Sequence, residues 1–186
     1  MKAVQILMEE HQNILRMLKV IRTLSLHIFN TKEVYNEGFY QIIDFIKNYA
    51  DKFHHGKEED ILFEKMSTEL GPAIKNGPIF GMLSEHDLGR LFANNLQEAL
   101  KNLENGEEEA KMDIIVNAIA YADLLERHIF KEDTAIFTFA EKQLKNETHE
   151  EINKLFHETE ITLDAIYTEK KYIGILEELE EYCKTL

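Results

Sequence analysis

Two stretches of the chain combine histidine and glutamate at a spacing that suits metal binding. They are residues 53–63, with His54 and Glu58, and residues 127–137, with His128 and Glu132. On a helix, a separation of four residues places the imidazole and the carboxylate on one face, about 6 Å apart along the axis, so both can reach a common point. Nitrogen and oxygen donors that converge from two helices are what a metal site in a helical bundle requires.

Two further histidines fall into the same repeat. Glu10-His11 corresponds to Glu85-His86 at an offset of 75 residues, while the two histidine–glutamate pairs are 74 residues apart. The near-equal offsets predict two similar helix pairs. If the pairs pack with approximate two-fold symmetry, the site holds four histidines and two carboxylates, enough for two metal ions bridged by Glu58 and Glu132.

The composition predicts the elements that must position these residues. The chain has 186 residues, of which 44% are hydrophobic and 30% charged, enough for one compact domain with its own core. Only two prolines and eight glycines occur, and Leu, Ile, Glu and Lys are abundant without dense Val/Thr alternation. These features favour helix over sheet. We therefore expect an all-α fold and a single domain over residues 1–186.

Apolar residues at helical spacing predict six helices. The first covers about residues 3–29, and the second opens at Thr31 and reaches the Gly71-Pro72 loop. Pro78 suits the first turn of the third helix, which runs to about Leu103 before Asn105-Gly106. The fourth ends near Asn146 and completes a core bundle of about residues 3–146. Two shorter helices, at residues 148–168 and 172–184, make a C-terminal part of about residues 148–185 that could pack against the bundle, cover its mouth or form a homodimer contact.

Charge and cysteine content exclude several function classes. The formal net charge of −14 disfavours binding to a nucleic-acid backbone, which depends on Lys and Arg, and to anionic membranes. The N-terminal residues read directly as amphipathic helix, and no apolar run reaches membrane-spanning length, so we expect a soluble, cytoplasmic protein. The one cysteine, Cys183, offers no thiolate cluster. Any metal must be held by histidine and carboxylate.

Taken together, these motifs resemble the hemerythrin-like, or HHE cation-binding, family over roughly residues 5–145. The local phrases that carry the resemblance are His54-His55-Gly56-Lys57-Glu58-Glu59-Asp60-Ile61-Leu62-Phe63, Gly77-Pro78-Ile79 leading to Glu85-His86-Asp87, and His128 through Asp133. The resemblance implies an up-down-up-down four-helix bundle that holds two non-haem iron ions, bridged by carboxylates and an oxo or hydroxo group. Its ligand set here would be His11, His54, Glu58, His86, His128 and Glu132.

One position departs from the pattern of oxygen-carrying hemerythrins. In those proteins the third helix offers a second histidine four residues after the first, whereas here Arg90 follows His86 at that spacing. His55 is a candidate replacement, since some family members recruit the residue after the second helix's first histidine. A water or an open position is the alternative. We therefore include His55 among the expected metal ligands.

The donor set agrees with iron but also suits manganese or zinc. It differs from that of ferritin-like bundles, in which glutamate precedes histidine by three residues. Other positions keep more than one reading. Glu59 is a surface residue, one that supports a ligand or, if the helix phase slips, a competitor of Glu58 as the ligand. Arg90 pairs with a site carboxylate or lies at the surface. Tyr121 is most simply a core residue, and Gly56 marks either a crowded backbone or a tolerated loss of helix stability of about 1 kcal/mol.

Two functional classes follow from the resemblance. The first, which we favour, is a binding or sensing protein whose di-iron site takes a small diatomic ligand such as dioxygen, or nitric oxide or iron itself. The second is a di-iron oxidoreductase that acts on peroxide or repairs iron–sulfur centres. A site one histidine short favours a sensor, a reactive centre or an iron-handling module over a reversible carrier.

Overall fold

The computed structural model describes residues 1–186, the side chain of Leu163 excepted. Over these residues the chain forms six long helices and no strand. This confirms the all-α prediction. In the described part of the chain, no helix is long and apolar enough to cross a membrane.

Helix α1 covers Lys2–Thr31. It ends because Lys32 adopts a left-handed conformation with φ 66°, and its backbone N–H donates to the carbonyl of Ile28. Helix α2 spans residues 36–70 and begins at Asn36. The prediction that the second helix opens at Thr31 is therefore wrong, because Thr31 is the last residue of α1.

Helix α2 is continuous but not uniform. It begins as Asn36–Phe45, passes through the wider π-helical segments Ile46–His55 and Glu58–Phe63, and finishes as Glu64–Leu70. Gly71, with φ 83°, ends it. Pro78 lies inside the π-helical segment Lys75–Ile79, which follows Pro72–Ile74 and leads without a break into α3, Phe80–Glu104. The prediction of Pro78 in the first turn of the third helix is wrong, because helical residues already begin at Pro72.

Helix α4 spans residues 110–143 and consists of Ala110–Lys131, the π-helical segment Glu132–Ile136 and Phe137–Gln143. Helix α5 covers Asn146–Glu160 and α6 covers Leu163–Cys183. The predicted break between residues 168 and 172 is wrong. The break occurs at residues 161–162 because the Thr162 hydroxyl caps the new helix by accepting the N–H of Ala165.

The apolar core consists of two clusters. The larger one joins Ile14–Ile28 of α1 to the N-terminal part of α2, the C-terminal part of α3, the first part of α4 and Leu176 of α6. The smaller one joins Val4 and Leu7 to the opposite ends of α2, α3 and α4 and to Phe156 of α5. Along each of the first four helices, the candidate site residues fall between these clusters. The site is therefore a polar layer across the helices, with an apolar core on either side.

Candidate metal centre

The structure brings all seven predicted site residues together in the polar layer. Two groups of side chains each place one donor atom per residue within 4.8 Å of the others. They share Glu58, and each of the four members of either group is buried. One group is His11, His54, Glu58 and Glu132; the other is His55, Glu58, His86 and His128.

Glu58 and Glu132 lie between the groups. Glu58 Oε1 is 3.5 Å from His54 Nε2, while its Oε2 is 3.6 Å from His86 Nε2. Glu132 Oε2 is 3.3 Å from His11 Nε2 and 3.1 Å from His128 Nε2. Each carboxylate thus faces histidines of both groups, which is the arrangement that two bridging carboxylates need.

The centre of the site holds polar atoms that the protein itself does not satisfy. Among the described residues, no hydrogen-bond partner is present for His11 Nε2, for His54 Nε2 or for the four carboxylate oxygens of Glu58 and Glu132. Both glutamates are 0% exposed. Leaving such groups unpaired in a protein interior is costly. The donor set, two imidazole nitrogens and four carboxylate oxygens directed at one enclosed space, fits bound cations.

The outer nitrogen of each histidine faces a carboxylate. The Nδ1–carboxylate distances are 2.7 Å for His11 to Asp133, 2.7 Å for His54 to Glu10, 3.4 Å for His55 to Asp51, 2.6 Å for His86 to Glu59, and 2.9 Å for His128 to Glu85. A carboxylate at this nitrogen fixes the ring orientation and raises the basicity of the opposite nitrogen, as in many metal sites.

Basic side chains complete these contacts. Lys57, only 3% exposed, pairs with Glu10 and lies 2.6 Å from Glu160 at the end of α5. Lys131 pairs with Glu85 in the equivalent place. Sequence reasoning missed these three ion pairs.

Arg90 Nη2 lies 2.7 Å from both Asp51 and Glu59. It therefore pairs with carboxylates of the site, the first of the two predicted alternatives, and Glu59 supports a histidine and is not simply a surface residue. Through Asp51 and Glu59, Arg90 holds the partners of His55 and His86.

Burial and neighbouring charges shift the protonation of the site. Burial and the neighbouring Glu132 raise the pKa of Glu58 well above its usual value. Burial also acts to raise the pKa of Glu132, but the neighbouring imidazoles of His128, His11 and His86 hold it well below the usual range. Two carboxylates in one buried space cannot both carry charge cheaply.

Among the histidines, too, some pKa values are raised and others are lowered. Burial lowers the pKa of His11, but the hydrogen bond to Asp133 and the neighbouring carboxylate of Glu132 outweigh it and raise the pKa to about 10. Burial lowers the pKa of His54 well below 6.5, and burial together with His86 lowers that of His55 to about 3. His54 and His55 are therefore neutral at ordinary pH, the form in which imidazole binds a metal.

The two halves of the site are related by the sequence repeat. Phe137 stacks on His11 with 5.6 Å between ring centroids, and Phe63 stacks on His86 at 6.1 Å. His55 breaks the symmetry, since its ring lies parallel to that of His86 at 3.8 Å. One group consequently contains three histidines and the other contains two.

Comparison with known protein families agrees with this geometry, because the family that matches the chain is one of cation-binding domains. The family model described as the hemerythrin HHE cation binding domain matches residues 2–140. Neither a curated protein nor a solved structure matches the chain.

Proposed function

Because the chain belongs to the family of hemerythrin HHE cation-binding domains, we propose that it holds two iron ions in a carboxylate-bridged, non-haem centre and binds or senses dioxygen there. The chain binds cations through histidine and glutamate side chains of the first four helices. In the proposal these helices form an up-down-up-down bundle. We also propose that the protein works in the cytoplasm, because its single cysteine cannot form an intrachain disulfide and cytosolic proteins rarely contain disulfides.

The observation that carries the proposal is the pair of donor groups that share Glu58, with unsatisfied carboxylate oxygens directed between them. In the proposal, His11 and His54 hold one ion and His55, His86 and His128 hold the other, with Glu58 and Glu132 bridging. Two ferrous ions would supply electrons and a coordination position for a diatomic ligand. Mixed imidazole and carboxylate ligation favours iron, although manganese and zinc accept the same donors.

The protein's own residues have defined tasks in this proposal. Glu58 and Glu132 neutralise the charge of the cations, and the burial of both excludes water that would compete for the same positions. The five outer carboxylates keep each histidine directed inward. Phe63 and Phe137 cover two of the imidazole rings and keep the surroundings apolar.

The test is anaerobic purification with metal quantification, followed by optical spectra before and after exposure to oxygen. We expect about two irons per chain and a spectral change that reverses when oxygen is removed. His54→Ala and His128→Ala should each lose most of the bound metal. His157→Ala is the matched control, because that histidine is exposed and lies outside both groups.

Three results would contradict the proposal or redirect it. Zinc alone, or a folded protein that takes up no metal, would refute the di-iron centre. Rapid irreversible oxidation together with consumption of added peroxide would point to a di-iron oxidoreductase. Full metal content in both histidine variants would show that the metal lies elsewhere.

A further inference from the structure

The C-terminal helices cover one of two related faces of the bundle. Helices α5 and α6 pack over α1 and α2. Lys57 of α2 lies 2.6 Å from Glu160 at the end of α5, and Arg16 of α1 lies 2.6 Å from Glu180 of α6. The sequence repeat relates α1 to α3 and α2 to α4. The counterpart of the covered face is therefore the face that α3 and α4 form.

A surface groove of about 570 Å³ lies on this counterpart face, and we call it the α3/α4 groove. Leu88 follows Glu85 of α3 by one helical turn, so the two side chains lie on the same side of that helix. Phe130 is 66% exposed and Leu88 is 43% exposed. Apolar side chains grouped at a groove with a polar rim mark an interaction site. The groove is lined by Glu85, Leu124, Glu126, Arg127, Phe130 and Lys131.

Equivalent positions of the two faces carry different residue types. At the repeat offset of 75 residues, Leu88 corresponds to Asn13, and at the offset of 74, Phe130 corresponds to Gly56. The face that the chain covers itself thus has a polar residue and a glycine at these places, whereas the open face has leucine and phenylalanine. Because removing apolar area from water is favourable, the open face would gain free energy from a cover.

Lys131 indicates the charge that such a cover should carry. The side chain of its counterpart Lys57 is 2% exposed and pairs with two carboxylates, Glu10 and Glu160. The side chain of Lys131 is 42% exposed and pairs with Glu85, the counterpart of Glu10. Among the described residues, Lys131 has no second carboxylate in the place that Glu160 takes at Lys57. A partner could supply that carboxylate.

Arg127 adds a second positive charge at the rim of the groove. Its guanidinium lies 3.8 Å from Asp123, beyond hydrogen-bond distance, and its side chain is exposed. A two-fold contact between copies of this chain, centred on the groove, would bring these basic residues against each other, and like charges across an interface disfavour binding. At physiological ionic strength the Debye length is about 8 Å. Charges at the groove therefore outweigh those elsewhere on the chain.

We propose that the α3/α4 groove is the docking site for an acidic amphipathic helix of a partner protein. Apolar side chains of that helix cover Phe130 and Leu88, while its carboxylates pair with Lys131 and Arg127. Laying the apolar face of a helix into a groove is a recurring mode of recognition. The bound helix would also contact the ion pair of Lys131 with Glu85, which supports the candidate metal centre.

The test uses the full chain and two fluorescein-labelled peptides of equal length, each with leucine at helical spacing. One peptide carries glutamate at its polar positions and the other carries lysine. We expect the glutamate peptide to bind in an anisotropy titration at physiological salt. The net charge of −14 disfavours an acidic peptide over most of the surface. Binding of the glutamate peptide therefore reports on the groove.

Two variants with matched controls locate the binding. Phe130→Ala should raise the Kd of the glutamate peptide at least tenfold, because aromatic anchors contribute most to such interfaces. Phe29→Ala is its control, since Phe29 is 64% exposed and lies on α1. Arg127→Gln should raise the Kd about two- to fivefold, whereas Lys184→Gln, at an equally exposed side chain just after α6, should not. All four positions are exposed, so circular dichroism should show an unchanged fold.

Three results would overturn the inference. The first is no binding of the glutamate peptide at about 1 mM, or variants that bind it like their controls. The second is a lysine peptide that binds more tightly and is weakened tenfold by Phe130→Ala, since the groove would then prefer a basic helix. The third is a wild-type chain that dimerises in sedimentation velocity while Phe130→Ala does not, since a second copy would then occupy the groove.

Discussion

At the scale of single residues, we expect the histidine Nδ1 atoms, which face carboxylates outside the centre, to affect metal affinity as well as the Nε2 atoms that face the centre. Glu85 lies 2.9 Å from Nδ1 of His128 and is in turn held by Lys131. Glu85→Gln keeps the size of the side chain but removes the charge that makes the imidazole a stronger donor. We expect the affinity for metal to fall about 10- to 100-fold, the usual cost of losing such a partner. A competition titration against a metal-binding indicator measures it.

Glu98→Gln is the control for this experiment, since it makes the same change at an exposed position of the same helix. Its metal affinity should equal that of the wild type. Equal affinities in Glu85→Gln and Glu98→Gln would mean that the carboxylate at Nδ1 has no influence on the centre.

Gly56 gives a second prediction at this scale. Its backbone is helical, with φ −56° and ψ −40°, and a Cβ added there meets no atom within 4 Å. Crowding, one of the two readings of the sequence, is therefore excluded. Gly56→Ala should raise the free energy of unfolding by about 0.5–1 kcal/mol because alanine loses less entropy in a helix. Urea denaturation measures this, and a lower midpoint would show that the glycine has another task.

The repeat made the clustered histidines and glutamates predictable, but it did not reveal the carboxylates that pair with the histidines. Glu10 immediately precedes His11 in the chain, yet its carboxylate contacts His54 of another helix. In the same way Glu59, next to Glu58, contacts His86. Spacing within one helix identifies residues on a shared face, whereas these pairs depend on how two helices are rotated against each other. That rotation follows from tertiary packing, which a single sequence does not specify.

At the scale of elements, the helices were largely predictable and their internal hydrogen bonding was not. His54, His55, Glu58 and Glu132 all lie in π-helical segments of α2 and α4. Such wider turns often occur at functional sites. However, residue types alone do not predict where the backbone changes from i→i+4 to i→i+5 hydrogen bonds. The break before α6 was missed for a related reason. Apolar spacing continues across residues 161–162, so it does not indicate where one helix ends and the next begins. The N-terminal cap at Thr162 sets the start of α6.

Helices α5 and α6 are part of the core and not appendages. Leu176 of α6 is 0% exposed in the larger cluster, and Phe156 of α5 is 0% exposed in the smaller one. Leu176→Ala should lower the free energy of unfolding by about 2–5 kcal/mol and Phe156→Ala by about 3–5 kcal/mol. Chemical denaturation measures both. Ile161→Ala, at a side chain that is 59% exposed, should change it by less than about 0.5 kcal/mol.

If Leu176→Ala and Phe156→Ala were both as stable as Ile161→Ala, the C-terminal helices would not be packed on the bundle. The other two sequence readings, a cover for the mouth of the site or a homodimer contact, would then be favoured.

At the scale of the whole molecule, the polar layer divides the apolar core into two clusters. The free-energy cost of burying its charged groups lowers the stability of the entire fold. Three buried glutamates and several buried histidines lie at the junction of the first four helices. Burial alone disfavours the charged form of each. Cations at this point would offset those penalties and join the four helices through shared ligands. Metal content should therefore control global stability and not merely local order.

Metal removal tests this coupling. A ligand that binds only the folded state stabilises it by about 2.7 kcal/mol when its free concentration is ~100 times Kd. For a chain of this size that is a rise in Tm of roughly 5–10 °C. We expect calorimetry to show this difference between iron-loaded and chelator-treated protein, with a single transition in both. The His54→Ala, His128→Ala double variant should show no response to iron, because neither donor group is complete. A wild-type Tm that is indifferent to iron, measured beside an equally indifferent double variant, would mean that the layer is held by its own ion pairs, such as Lys57 with Glu10, and that no cation contributes to the fold.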